Sequence, residues 1–232
     1  MKATDSITIP YLVVVLSLMP ALGVRSWFRL RSGKPLPPKC SRYRAMIALQ
    51  LMLLTWTSLV AKQNNIGMFG SVRPPAWTWA AAAAYLTFVG VRVWLGLRKL
   101  TPEHREKVRL ILPENPSEMR YWLLISLLAG VTEEYAYRGV AYSTLHEITD
   151  SLIVSLTACV LAFAIAHVMQ GWRYALGAGI VALLCHLMVF LTHTLSLVIV
   201  FHVAYDLTIG VLAMQALMRN AAATTPGTQV AF

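Results

Sequence analysis

Charge is scarce in this chain. Of its 232 residues only 13% are charged, and only 10 are acidic. An ordinary soluble domain carries about 25% charged residues, so a water-facing surface of the usual kind is excluded. A disordered chain is excluded as well, because it combines high net charge with low hydrophobicity, and 57% of this sequence is hydrophobic. Cysteine is nearly absent. Three cysteines, Cys40, Cys159 and Cys185, are too few for a disulfide framework and cannot all pair. Cys159 and Cys185 lie in apolar runs and read as small packing residues. No repeat of fixed period and no low-complexity linker divides the chain. What these absences leave is one polytopic membrane domain over residues 1–232.

What is present is apolar sequence in long runs. A helix crossing a bilayer needs about 20 mainly apolar residues. Seven stretches qualify as candidates, at about 7–24, 45–61, 76–97, 121–145, 151–169, 175–192 and 195–218. The fold class expected is therefore all-α: a membrane helix bundle of about seven transmembrane helices. Segment 101–118 opens with Thr101-Pro102-Glu103, mixes charges of both signs and reads as a short surface helix.

The 20 Lys and Arg exceed the acids and set the formal net charge at +10. Nucleic-acid binding would need a basic face on a soluble fold. Here the positive charge sits in connections between apolar runs, so no nucleic acid is expected. Seven basic residues fall in 25–44 and six in 98–120; 62–75 holds only Lys62 and Arg73. The positive-inside rule then predicts an N-terminus outside, a cytoplasmic C-terminus and a retained first span. The basic connections also suit a bilayer with anionic head groups.

Ionisable residues inside the runs need a separate explanation. Glu133, Glu134, Arg138 and Asp206 lie deep in apolar sequence. Each costs about 2.5–3.5 kcal/mol at the centre of a membrane helix, and such residues mark functional sites by default. Their spacing is ordered. Glu134 and Arg138 are four apart, with the acid first, which is the favourable orientation for a helical ion pair. That leaves Glu133 about 100° round the helix, without an obvious cation. Phe163 and His167 are four apart on the fifth run, and His202 and Asp206 are four apart on the seventh. A carboxylate and an imidazole sharing one water can deprotonate it as it attacks a carbonyl, while other groups donate to the oxyanion.

The series Glu133-Glu134-x-x-x-Arg138, Phe163-x-x-x-His167 and His202-x-x-x-Asp206 resembles the three motifs of the CPBP family. That family comprises CAAX-type prenyl-protein proteases and bacteriocin-processing or immunity proteins, also called Abi proteins. The resemblance covers about residues 121–212, so 121–218 is expected to form the catalytic helix core and 1–120 to supply accessory spans. It implies a glutamate-dependent intramembrane endopeptidase acting on a membrane-anchored or lipidated substrate. Glu133 and His167 would activate water, and His202 and Asp206 would line the oxyanion hole. Glu134 and Arg138 would brace the site or contact substrate, and Phe163 would floor it. The family often has Asn where this chain has Asp206, and an ionised Asp cannot donate to an oxyanion. Asp206 is then either protonated or a partner that orients His202.

No cofactor is expected. Zinc at Glu133, His167 and His202 is the weaker alternative, for the family was once classed as metalloproteases and these are common zinc donors. A proton-coupled carrier is the second function class, because buried Glu, Asp and His also form proton relays; the absence of matching halves argues against it. A non-catalytic immunity-type membrane protein is the third. His186 and His193 read as packed or interfacial.

One geometric demand follows from these spans. As straight helices they would hold His167 and His202 about 10 Å or more apart along the membrane normal. To share a water, the fifth helix must run past Gly171, or spans five to seven must be offset or broken. Gly171, Gly177 and Gly179 are the candidate breaks.

Overall fold

A computed structural model describes residues 6–68, 74–99 and 101–224; Arg73 lies outside them. Among the described residues the fold is all-α. Helix α1 runs Thr8–Arg31, α2 Lys39–Gln63 and α3 Ala76–Arg98. The short helix α4 is Pro102–Ile111, as its Pro-Glu start predicts. Helix α5 is continuous over 116–149, α6 is Leu152–Ala166, α7 is Trp172–Thr192 and α8 is Ser196–Thr224. Five of these, α1, α2, α3, α7 and α8, are long and apolar enough to cross a membrane. The protein is an integral, multi-pass membrane protein. Large apolar side chains such as Phe88, Ile153, Leu176 and Val200 are exposed on helix faces, which in a bilayer face lipid.

The two remaining expected spans differ from the plain crossings for physical reasons. Helix α6 has 15 residues, about 22 Å at 1.5 Å per residue, short of a hydrocarbon core of about 30 Å. Helix α5 starts earlier than the apolar run does. The Asn115 side chain accepts from the Glu118 amide at 2.9 Å, and Pro116 takes the first helical position, a standard N-terminal pairing of cap and proline.

Helix α5 also changes gauge. Its segment Glu134–Ala141 is π-helical, and all eight residues are buried. A second π segment, Val14–Leu18, lies in α1 just before Pro20. Proline has no N–H and its ring crowds the carbonyl four residues back; widening the helix relieves that crowding. The two wide segments are tied to each other by tyrosines. Tyr137 donates to the Val15 carbonyl at 3.2 Å. Tyr11 donates to the Ala136 carbonyl at 3.3 Å and shares a 3.1 Å hydrogen bond with Thr57 of α2. Carbonyls left poorly served by the wide turns thus gain donors from the neighbouring helix, as the apolar surroundings require.

Close helix crossings set the rest. A Cβ at Gly130 would meet Val203, and one at Gly210 would meet the Trp122 ring. Only glycine lets α5 and α8 approach this closely, and Trp122 Nε1 donates to the Asp206 carbonyl at 2.8 Å across the same seam. Gly23 of α1 does the same for α6: its Cβ would sit 2.4 Å from the Ala166 carbonyl oxygen.

The chain breaks where His167 required it. Helix α6 ends at Ala166, a 3-10 turn covers Val168–Gln170, and Gly171 has φ of 110°. The fifth helix therefore does not continue past Gly171; it is broken there. Gly177 and Gly179 lie inside α7, with no break.

Gly23→Ala is expected to lower thermal stability in detergent by about 1–3 kcal/mol, the usual cost of overpacking. Gly177→Ala, where nothing lies within 4 Å of the added carbon, should be neutral or slightly stabilising. Melting curves of the two variants against the parent check the pair.

Candidate active site

The centre of the site is the α5–α8 seam. Glu133 is the last α-helical residue before the wide segment of α5, and Glu134 is the first residue of that segment. His202 and Asp206 occupy successive turns of α8. Close packing at Gly130 and Gly210 brings these turns together.

The two adjacent acids have different surroundings. Glu134 is buried, with its side chain 1% exposed, and so is Arg138. Their Oε1 and Nη1 lie 3.2 Å apart, the four-residue ion pair expected from the sequence. The same Oε1 is 2.7 Å from Nδ1 of His202. A carboxylate oxygen only accepts, so Nδ1 carries the proton of this bond. Arg138 also lies over the Phe163 ring, 4.4 Å from its centroid, and Tyr137 meets that ring edge-on at 5.2 Å. Glu134 and Arg138 are thus held on several sides, a form in which buried charge is tolerated.

Among the described residues no Lys or Arg side chain pairs with Glu133. Its side chain is 18% exposed, and its Oε2 lies 4.0 Å from Nε2 of His202. Asp206 Oδ2 lies 3.8 Å from the same nitrogen, with its side chain 21% exposed. One face of the imidazole system is therefore buried against Glu134, and the other looks into a more open space between Glu133 and Asp206. The remaining oxygen of Glu133, Oε1, accepts from Nε2 of Gln50 at 2.8 Å. Gln50 is on α2, and Thr132 Oγ1 donates to the Gln50 carbonyl at 3.5 Å. In the sequence Gln50 is one of several polar residues of the second run, with Thr55, Thr57 and Ser58, that a helix satisfies internally or against its neighbours. The available signal was a lone amide in an otherwise apolar run.

His167 stands at the broken end of α6. Its Nδ1 lies 2.8 Å from the Phe163 carbonyl, and its ring lies 4.4 Å from the Phe163 ring. Phe163 also meets the His202 ring, at 6.5 Å. The aromatic ring thus lies between the two imidazoles, and Tyr174 flanks His167 at 6.4 Å. Of the residues singled out in the sequence, Glu133, Glu134, Arg138, His202 and Asp206 come together directly, while His167 joins them through Phe163. His186 is buried and packs on Tyr142, ring centroids 5.4 Å apart. His193 ends α7 with φ of 52°.

Among the described residues no group of three or more His, Cys, Asp or Glu side chains is disposed to hold a metal ion.

Replacing Arg138 by Met should cost about 3–5 kcal/mol of stability, because it strands the buried Glu134 charge. Adding Glu134→Gln to that variant should restore most of the loss. Thermal unfolding of the single and double variants measures both.

Comparison with known proteins places this seam. No curated protein and no solved structure matches the chain. Residues 115–208, which run from the cap of α5 to just beyond Asp206, match the family model described as type II CAAX prenyl endopeptidase Rce1-like. Through the helices that carry Glu133, His167 and His202, the chain is similar to the CAAX-type endopeptidase family over this stretch.

Proposed function

We propose that this protein hydrolyses a peptide bond in a membrane-tethered, prenylated substrate, using water activated by Glu133. The similarity of residues 115–208 to the CAAX prenyl endopeptidase family supports the class of reaction and of substrate. The observation that carries the mechanism is the gap between Glu133 Oε2 and His202 Nε2, 4.0 Å wide on the open side of the site. A water with hydrogen bonds of about 2.8 Å to each atom spans such a gap at a bent angle.

Glu133 takes a proton from this water as its oxygen attacks the substrate carbonyl. The new C–O bond pushes the carbonyl electrons onto oxygen. His202, with Nδ1–H held by Glu134, offers Nε2–H to that oxyanion in its doubly protonated form. Glu133 then passes its proton to the leaving nitrogen and the C–N bond breaks. One water is consumed and two peptides leave. His167 has Nδ1 engaged by the Phe163 carbonyl and borders the site through the Phe163 ring. No metal takes part in this scheme. Asp206 lies too far from Nε2 for a hydrogen bond and lines the open side of the site with its polar head beside the ring.

The neighbouring acids have separate tasks. Glu134 is ion-paired and buried, so it orients His202. Glu133 is partly exposed and bonded to a neutral amide, so it is the acid that meets the water. The positive-inside reading of the basic connections supports a substrate on the cytoplasmic leaflet, where anionic head groups gather.

Glu133→Gln should reduce cleavage of a prenylated CAAX-type peptide by about 100-fold or more, as expected for loss of a general base, with the melting temperature unchanged. Phe190→Leu serves as the control and should cleave normally. Full cleavage by the Gln variant would overturn the mechanism. Asp206→Asn should stay within about 10-fold of the parent, because Asn keeps the shape and can donate to the oxyanion; Asp206→Leu should lose far more. Initial rates on the same peptide separate the two.

A further inference from the structure

Gln50 stands outside the matched residues 115–208 yet, among the described residues, makes the only hydrogen bond to the Glu133 carboxylate. We propose that Gln50 is the positioning residue for Glu133: it occupies Oε1, and thereby presents Oε2 to the water. The inference rests on the reading of Glu133 as general base.

The geometry of the pair carries it. Gln50 is 7% exposed in the middle of α2. Its Nε2 donates to Glu133 Oε1 at 2.8 Å, and the opposite oxygen is the one that faces His202. The assignment of the amide follows from chemistry, since a carboxylate accepts only from the NH2 side. The backbones are in register at this level too, through the Thr132 hydroxyl and the Gln50 carbonyl. A carboxylate with a free terminal torsion spreads its lone pairs over many directions. Holding one oxygen leaves the other aimed, and small errors of aim at a reacting centre cost up to about 100-fold in rate.

The chemical type of the residue matters as much as its place. A Lys or Arg at position 50 would hold the carboxylate equally well, but would neutralise the base. An apolar residue would leave it loose. An amide donates without adding charge, so it orients Glu133 and leaves it basic.

A second observation separates positioning from structural support. The other end of this amide, Gln50 Oε1, is buried and has no hydrogen-bond partner among the described residues. Burying a lone acceptor is unfavourable. Only the donating end of Gln50 is thus used, and it is used by Glu133; an apolar side chain of the same size removes that one bond and relieves the orphaned acceptor.

The test uses Gln50→Met, which keeps length and volume but cannot donate, and Gln50→Leu as a second apolar variant. Both are purified as full chains beside the parent and Glu133→Gln, and assayed on one prenylated CAAX-type peptide. The expected result for Gln50→Met is a fall in kcat of about 10- to 100-fold, KM within about two-fold, and a melting temperature equal to or above that of the parent. In the Glu133→Gln background the Met change should cause no further loss, because residues acting as one unit are not additive. An unchanged kcat in Gln50→Met or Gln50→Leu overturns the proposal. So does a fall in melting temperature in both variants, which would mark a structural role. If Glu133→Gln itself cleaves normally, the general-base reading fails. If Glu133→Gln is inactive while Gln50→Met turns over like the parent, only the positioning role fails.

Discussion

A buried charge in an apolar bundle must be answered by another polar group, and this condition organises the centre of the molecule. Glu134 is the pivot. It pairs with Arg138 within α5 and with His202 across the seam, at 3.2 and 2.7 Å. Arg138 in turn lies on Phe163 of α6. Three helices are thus held in one arrangement by groups that cannot be left alone in hydrocarbon. The network orients His202 through Nδ1, which leaves Nε2 as the nitrogen that meets the open side of the site.

The backbone makes room for this arrangement in two ways. Glycines at 23, 130 and 210 let helices approach to distances that any side chain would prevent. The wide segments of α1 and α5 alter the phase of their helices, and Tyr11 and Tyr137 answer the carbonyls that result. Departures from regular helix of this kind are frequent at functional sites. Here the wide turn begins at Glu134, so it falls between the two acids. Glu133 ends the regular helix and Glu134 opens the wide one. Adjacent residues of the same type thereby reach opposite environments, one sealed against arginine and histidine, the other partly open and bonded to a neutral amide.

The N-terminal helices bear on the site as well. Gly23 lies against Ala166, the last residue before the turn that carries His167. Gln50 reaches Glu133 from α2. A division into accessory spans and a catalytic core describes where the motifs sit in the chain, but the contacts that shape the core cross that boundary.

Several properties were determined by the sequence alone. Scarce charge and long apolar runs imply a polytopic helical bundle, because a continuous apolar run of about 20 residues satisfies its own backbone groups in lipid as a helix, whereas barrel strands are shorter and alternate. The four-residue spacings put Glu134 with Arg138 and His202 with Asp206, since helix periodicity is a local property. The same locality limits what can be read. Helix α5 extends beyond its apolar run because a cap and a proline start it, and its wide segment has no local signature. Whether α6 ran on or broke at Gly171 was open, because a glycine permits a positive φ without requiring it. Above all, the partners of Glu133 were decided by tertiary structure. Gln50 and His202 are far from it in the chain, and nothing in the spacing of α2 says which neighbour its one buried amide will meet. That choice depends on how closely the helices pack, and the packing exists only once the bundle has formed.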